Sequence, residues 1–66
     1  MTIQLNGQPF EIEDGASVSR LLEVLDFSSQ RVLAEVNGKA LLASEQAGTV
    51  LHAGDRVELV RIVAGG

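Results

Sequence analysis

The residues best suited to chemistry stand at the end of the sequence, Val63-Ala64-Gly65-Gly66. Glycine brings no side chain to bury and loses the most backbone entropy when ordered, so a Gly-Gly end has no packing use. It is a slim thread that another protein's active site can admit. The reacting group this predicts is the C-terminal carboxylate of Gly66, with Gly65 and Ala64 as its approach. Other candidates are few. His52 is the single histidine, in a loop before Gly54-Asp55, and reads as a surface residue. Glu11, Glu13 and Asp14 cluster in sequence. Paired catalytic carboxylates need a cleft at set separation, which so small a fold can hardly enclose, so they read as a solvated face.

Composition narrows the class. The chain has 66 residues, enough for one domain. It has no cysteine and one histidine, which rules out disulfides and a His/Cys metal cluster. The core must be aliphatic. Five basic residues stand against nine acidic ones, a formal charge of −4, and the only aromatics are Phe10 and Phe27. Nucleic acid and anionic membranes need a positive surface, so neither is an expected partner. A basic protein surface would be attracted. The first residues lack the basic and apolar regions of a signal peptide, and no apolar run reaches the length of a membrane span, so the expected location is cytoplasmic.

The elements that must hold the tail follow from periodicity. Ile3 and Leu5 alternate with polar neighbours as a strand, and Asn6-Gly7 is a strong hairpin signal. Phe10 and Ile12 alternate with Glu11 and Glu13 in a second strand, with Pro9 at its start or with its nitrogen facing outward. Ser17 is a good N-cap for a helix over 18–25, whose Val18, Leu21, Leu22 and Leu25 form one apolar stripe. Ala16 and Leu21 are placed for a weak hydrophobic staple. Phe27 is expected to cover the helix end. A third strand carries Val32, Ala34 and Val36, then Asn37-Gly38 turns into a short fourth strand over 39–42. Residues 43–51 read poorly, with a single helical or 3₁₀ turn at 44–46. The last strand runs from Arg56 to Val63. The order is β-β-α-β-β-β, an α+β fold of two layers. Residues 1–66 form a single domain, with 64–66 as a flexible tail.

Val57 and Leu59 fit a core face of that last strand. Val60, Ile62 and Val63 break its alternation, and Leu33 lies on the face opposite Val32 and Ala34. Leu59, Val60, Ile62, Val63 and Leu33 together make the candidate docking patch beside the tail. A bulge, or cover by the 43–53 loop, would also account for these residues.

In order, Asn6-Gly7, Val18-Ser19-Arg20-Leu21-Leu22, Val36-Asn37-Gly38, Gly54-Asp55-Arg56-Val57-Glu58-Leu59 and Val63-Ala64-Gly65-Gly66 resemble the ThiS family, sulfur carriers of thiamine thiazole biosynthesis. The resemblance covers essentially the whole chain. It implies a ubiquitin-like β-grasp and a carrier rather than an enzyme. The glycine carboxylate, here Gly66, is adenylated by an ATP-dependent, ThiF-like activating enzyme and becomes a thiocarboxylate. Sulfur comes from a donor system such as a cysteine desulfurase and goes to a ThiG-like thiazole synthase. ATP and Mg²⁺ belong to the activating partner, and this chain binds no cofactor. Leu59, Val60 and Ile62 correspond to the part that meets the activating enzyme. Many relatives carry a proline and a basic residue where this chain has Leu41-Leu42-Ala43-Ser44. Molybdopterin-synthase small subunits, usually longer, and other sulfur carriers are the nearest alternative. A ubiquitin-like binding module or protein modifier is the alternative from another class.

Overall fold

The computed structural model describes residues 1–27 and 31–62. Its elements are β1 (Thr2–Leu5), β2 (Gln8–Glu11), α1 (Val18–Val24), β3 (Val32–Val36), β4 (Lys39–Leu41), a 3₁₀ turn (Ala43–Glu45) and β5 (Arg56–Arg61). The predicted order holds. The strands lie β2-β1-β5-β3-β4, so the last strand is the middle one. It runs parallel to β1 and antiparallel to β3.

Both Asn-Gly pairs close two-residue hairpins. Asn6 and Gly7 have φ of 49° and 82°, and Asn37 and Gly38 have 53° and 83°. Asparagine and glycine tolerate this left-handed geometry, which matches the strand twist. The asparagine side chains do a second task. Asn6 Oδ1 accepts from the Leu59 N–H at 2.8 Å, and its Nδ2 donates to the Leu59 carbonyl at 3.3 Å. Asn37 Oδ1 accepts from the Arg56 N–H at 2.9 Å, and its Nδ2 donates to Asp55 Oδ1 at 3.0 Å. Each turn thus grips β5. Pro9 faces Gln4 on the edge strand β2, where a missing N–H is tolerated.

The helix follows from its apolar stripe and its caps. Val18 and Leu21 are fully buried, and Leu22 nearly so. Ser17 Oγ accepts from the Arg20 N–H at 3.1 Å. Seven residues form no stable helix alone, so packing and caps must carry it. Ser17→Ala is therefore expected to cost about 1 kcal/mol. Thermal unfolding would show this as a Tm lower by about 4–8 °C. At the other end, the Asp26 N–H donates to the Glu23 carbonyl at 3.0 Å and the Phe27 N–H to the Leu22 carbonyl at 2.7 Å. Asp26 takes φ of 62°, which completes a Schellman cap. Phe27 packs back against the core, as the sequence predicts.

The segment that reads poorly is a lid on the helix start. The Val18 N–H donates to the Thr49 carbonyl at 3.0 Å, and the Ser19 N–H to the Gln46 carbonyl at 3.2 Å. These satisfy donors that a helix start leaves free. The Leu51 N–H donates to the Ala16 carbonyl at 2.8 Å, and the Leu51 side chain is buried. Ala16 and Leu21 are both buried in this core.

Several boundaries differ from expectation, among them the end of β5, which stops at Arg61 short of the predicted Val63. The helix ends at Val24 with Leu25 as its cap, and β4 stops at Leu41. More consequentially, β2 stops at Glu11, so Glu13 does not share its face. Glu13 instead ion-pairs with Arg20 of α1. The hydrogen bond from Arg20 holds the Glu13 carboxyl below its ordinary range. A lowered folded-state pKa contributes stability above the unfolded carboxylate pKa. That contribution is lost as pH falls through the lowered value. Arg20→Gln should remove this part of the acid-side slope in unfolding measured against pH, with little effect at the foot of the curve where Glu13 is protonated.

Candidate functional site

The middle strand delivers the tail. Register places Val57 and Leu59 toward the helix and leaves Glu58 and Val60 on the open face. β5 ends at Arg61, where the guanidinium lies 5.2 Å from the centre of the Phe27 ring. The Ile62 N–H donates to the Arg31 carbonyl at 2.9 Å. The strand end is thereby tied both to the helix-end loop and to the entry of β3. The predicted carrier residues Gly66, Gly65 and Ala64, and Val63 of the patch, lie outside the described residues.

The rest of the predicted patch divides. Leu33 and Val60 are direct partners across β3 and β5, and they are 57% and 58% exposed. Ile62 is 42% exposed just beyond them. Neither a bulge nor the 43–53 segment covers these three. Leu59 is corrected. It is 7% exposed and belongs to the core, because strict alternation turns it inward between two outward neighbours. It supports the patch from below and offers no docking surface. A groove of about 280 Å³ runs beside the patch, with Arg31, Leu33, Leu41 and Ile62 among its lining residues. The apolar surface thus sits at the end of β5, where the described chain leaves the sheet.

The other chemical candidates take structural places. His52 is exposed, and its Nδ1 lies 3.9 Å from Asp55 Oδ2. Asp55 is occupied in holding the turn, accepting from the His52 N–H at 2.8 Å and from Asn37. Glu11 accepts from the Thr2 hydroxyl across the β1–β2 pair. Among the described residues no group of His, Asp or Glu is placed to hold a metal ion. No helix among them is long and apolar enough to cross a membrane. Sequence reasoning missed the partnership of Glu35 and Glu58, which face each other across β3 and β5.

One helix gripped by a mixed sheet whose last strand is central defines a ubiquitin-like β-grasp. The model of the ThiS family matches residues 3–66, and the chain belongs to that family. A crystal structure of the thiamine biosynthesis protein ThiS from Geobacter metallireducens superposes with a TM-score of 0.84 at 29% identity, covering all of both chains. The uncharacterized protein ycf40 of Porphyra purpurea is 38% identical over 66 residues, all of this chain and 93% of that protein. A thiazole synthase of Magnetococcus marinus is 33% identical over all 66 residues, which make up 20% of its length.

Proposed function

We propose that this chain carries sulfur on the carboxylate of Gly66 for thiazole formation in thiamine biosynthesis. A free carboxylate is a poor acyl donor, because its leaving group would be oxide. Attack of its oxygen on the α-phosphorus of ATP releases pyrophosphate and leaves a mixed anhydride with AMP. The terminal sulfur of a persulfide, supplied by a donor such as a cysteine desulfurase, then attacks the acyl carbon and displaces AMP, and a second thiol cleaves the resulting acyl disulfide, leaving the donor sulfur in a new disulfide. The end product is a thiocarboxylate with a soft, nucleophilic sulfur. The activating enzyme is ThiF-like and supplies ATP and Mg²⁺, which balances the phosphate charge. The acceptor is a ThiG-like thiazole synthase. This chain contributes the acyl group, its reach and a docking face, and its partners perform the catalysis.

One observation carries the reading: the family match extends through Gly66, so the whole β-grasp and its glycine end are matched together. The thiazole branch is favoured over the molybdopterin one by the thiazole synthase that contains a segment similar to this entire chain. The exposed Leu33, Val60 and Ile62 beside the tail supply the contact that offsets the entropy of threading it. The adenylation step is tested by pyrophosphate exchange. Added to the ThiF-like enzyme of the same organism with ATP and labelled pyrophosphate, the chain should drive label into ATP. An exchange rate unchanged by the chain would overturn the proposal.

A further inference from the structure

Glu35 and Glu58 are direct register partners on β3 and β5, and both are exposed on the face away from the helix. Like charges directly opposite on a sheet destabilise it. Among the described residues neither carboxylate takes part in an ion pair. Arg56 shares their strand face two residues from Glu58 and makes no ion pair with it. Lys39 lies opposite Val36, so strand alternation places it on the other face. Two like charges side by side on an exposed face form a negative spot that a cationic partner group complements.

The surroundings say what that group is. The next row on the same face is Leu33 opposite Val60, both more than half exposed. Successive rows on one face lie about 7 Å apart. On the far side of Glu35, its β4 partner is Ala40, which is exposed and too small to obstruct approach. An apolar row beside two adjacent carboxylates fits an arginine. Its stem covers Leu33 and Val60, and its planar fork meets both acids. Lysine matches the charge but not the fork.

We propose that Glu35 and Glu58 form the charge-selective half of the docking face and receive an arginine of the ATP-dependent activating enzyme. This rests on the carrier reading above and adds to it the residue pair that selects the partner. A second copy of this chain is a poor occupant. Isologous packing on this face would bring two such acidic pairs together, in a chain of net charge −4.

The test compares the full chain with E35Q, E58Q and E35Q/E58Q, using the ThiF-like enzyme and ATP in pyrophosphate exchange over a salt series. The double variant should raise the KM for the carrier by about tenfold at low salt. Its kcat should stay within about twofold of wild type. The wild-type KM should climb with salt, and the variant's should be nearly flat. The variant's Tm should be unchanged or higher by about 2–5 °C, since repulsion is relieved. A lower KM-effect with loss of Tm would assign the pair a structural role and overturn the inference. So would an unchanged KM in a chain that is activated normally, a result that leaves the carrier reading standing. No exchange with wild type fails that reading, and this one with it. A wild-type dimer abolished by Val60→Asp would give the face to a second copy and also overturn it.

Discussion

Deletion of Gly66 should reduce thiocarboxylate formation by about 100-fold or more while thermal unfolding shifts by no more than about 1 °C. The loss is one of reach. Removing the last residue moves the acyl carbon back by about 3.8 Å along the chain. A misplacement of about 1 Å already costs on the order of 100-fold in a positioned reaction. The carboxylate of Gly65 would still be a carboxylate, and it would stand short of the nucleotide. Stability should not follow, because the buried core runs from Ile3 to Leu59. Gly66→Ala should weaken activation for a different reason, because it adds a Cβ beside the reacting carbon. An equal loss of stability and activity in the deletion would contradict this account of the tail.

The largest effect on folding is expected at Leu21. It is fully buried at the centre of the helix stripe, and α1 is the one α-helix among the described residues. A Leu→Ala change in a core costs roughly 2–5 kcal/mol. A chain of 66 residues has roughly 3–10 kcal/mol in all. Leu21→Ala should therefore lower Tm by roughly 10–25 °C, and leave a substantial unfolded population at physiological temperature. At low temperature, where the domain is still folded, pyrophosphate exchange should recover toward wild type. Chemical denaturation and exchange measured side by side separate the two variants. One loses the reaction with the fold intact, the other loses the fold with the reaction intact. A Tm within about 2 °C of wild type would mean that the helix does not organise the core.

Much of this fold was legible because its signals are local. Asn6-Gly7 and Asn37-Gly38 name their own turns, and each pins its hairpin's register. Ser17 and the stripe Val18, Leu21, Leu22 name the helix. The failures are non-local. Leu51 lies in the stretch that reads poorly, and becomes core because the loop folds onto Ala16 and the helix start. Glu13 reads as a strand residue by alternation, but β2 stops at Glu11, and Glu13 accepts from the Ala16 N–H in the turn toward α1 and pairs with Arg20. Leu59 reads both as core and as patch, and one strand face cannot serve both. The Glu35–Glu58 pairing was invisible for the same reason. It depends on how β5, distant in sequence, slides against β3, and Asn6 and Asn37 set that position from opposite flanks. The glycine end was legible as a slim thread. Its chemistry was not, because a carboxylate carries no sign of the enzyme that activates it.

The central claim is that Gly66 holds the sulfur. The chain is incubated with the ThiF-like enzyme, ATP, a cysteine desulfurase and cysteine, then treated with a thiol-directed alkylating agent and fragmented in a mass spectrometer. The sequence contains no cysteine, so a thiocarboxylate is the expected site of alkylation. Fragmentation also separates sulfur gain from oxidation of Met1, which adds nearly the same mass at the opposite end. The account predicts one oxygen replaced by sulfur and one alkyl group, both in the fragment ending at Gly66. An adenylated chain that never gains an alkylated C-terminal fragment would contradict it.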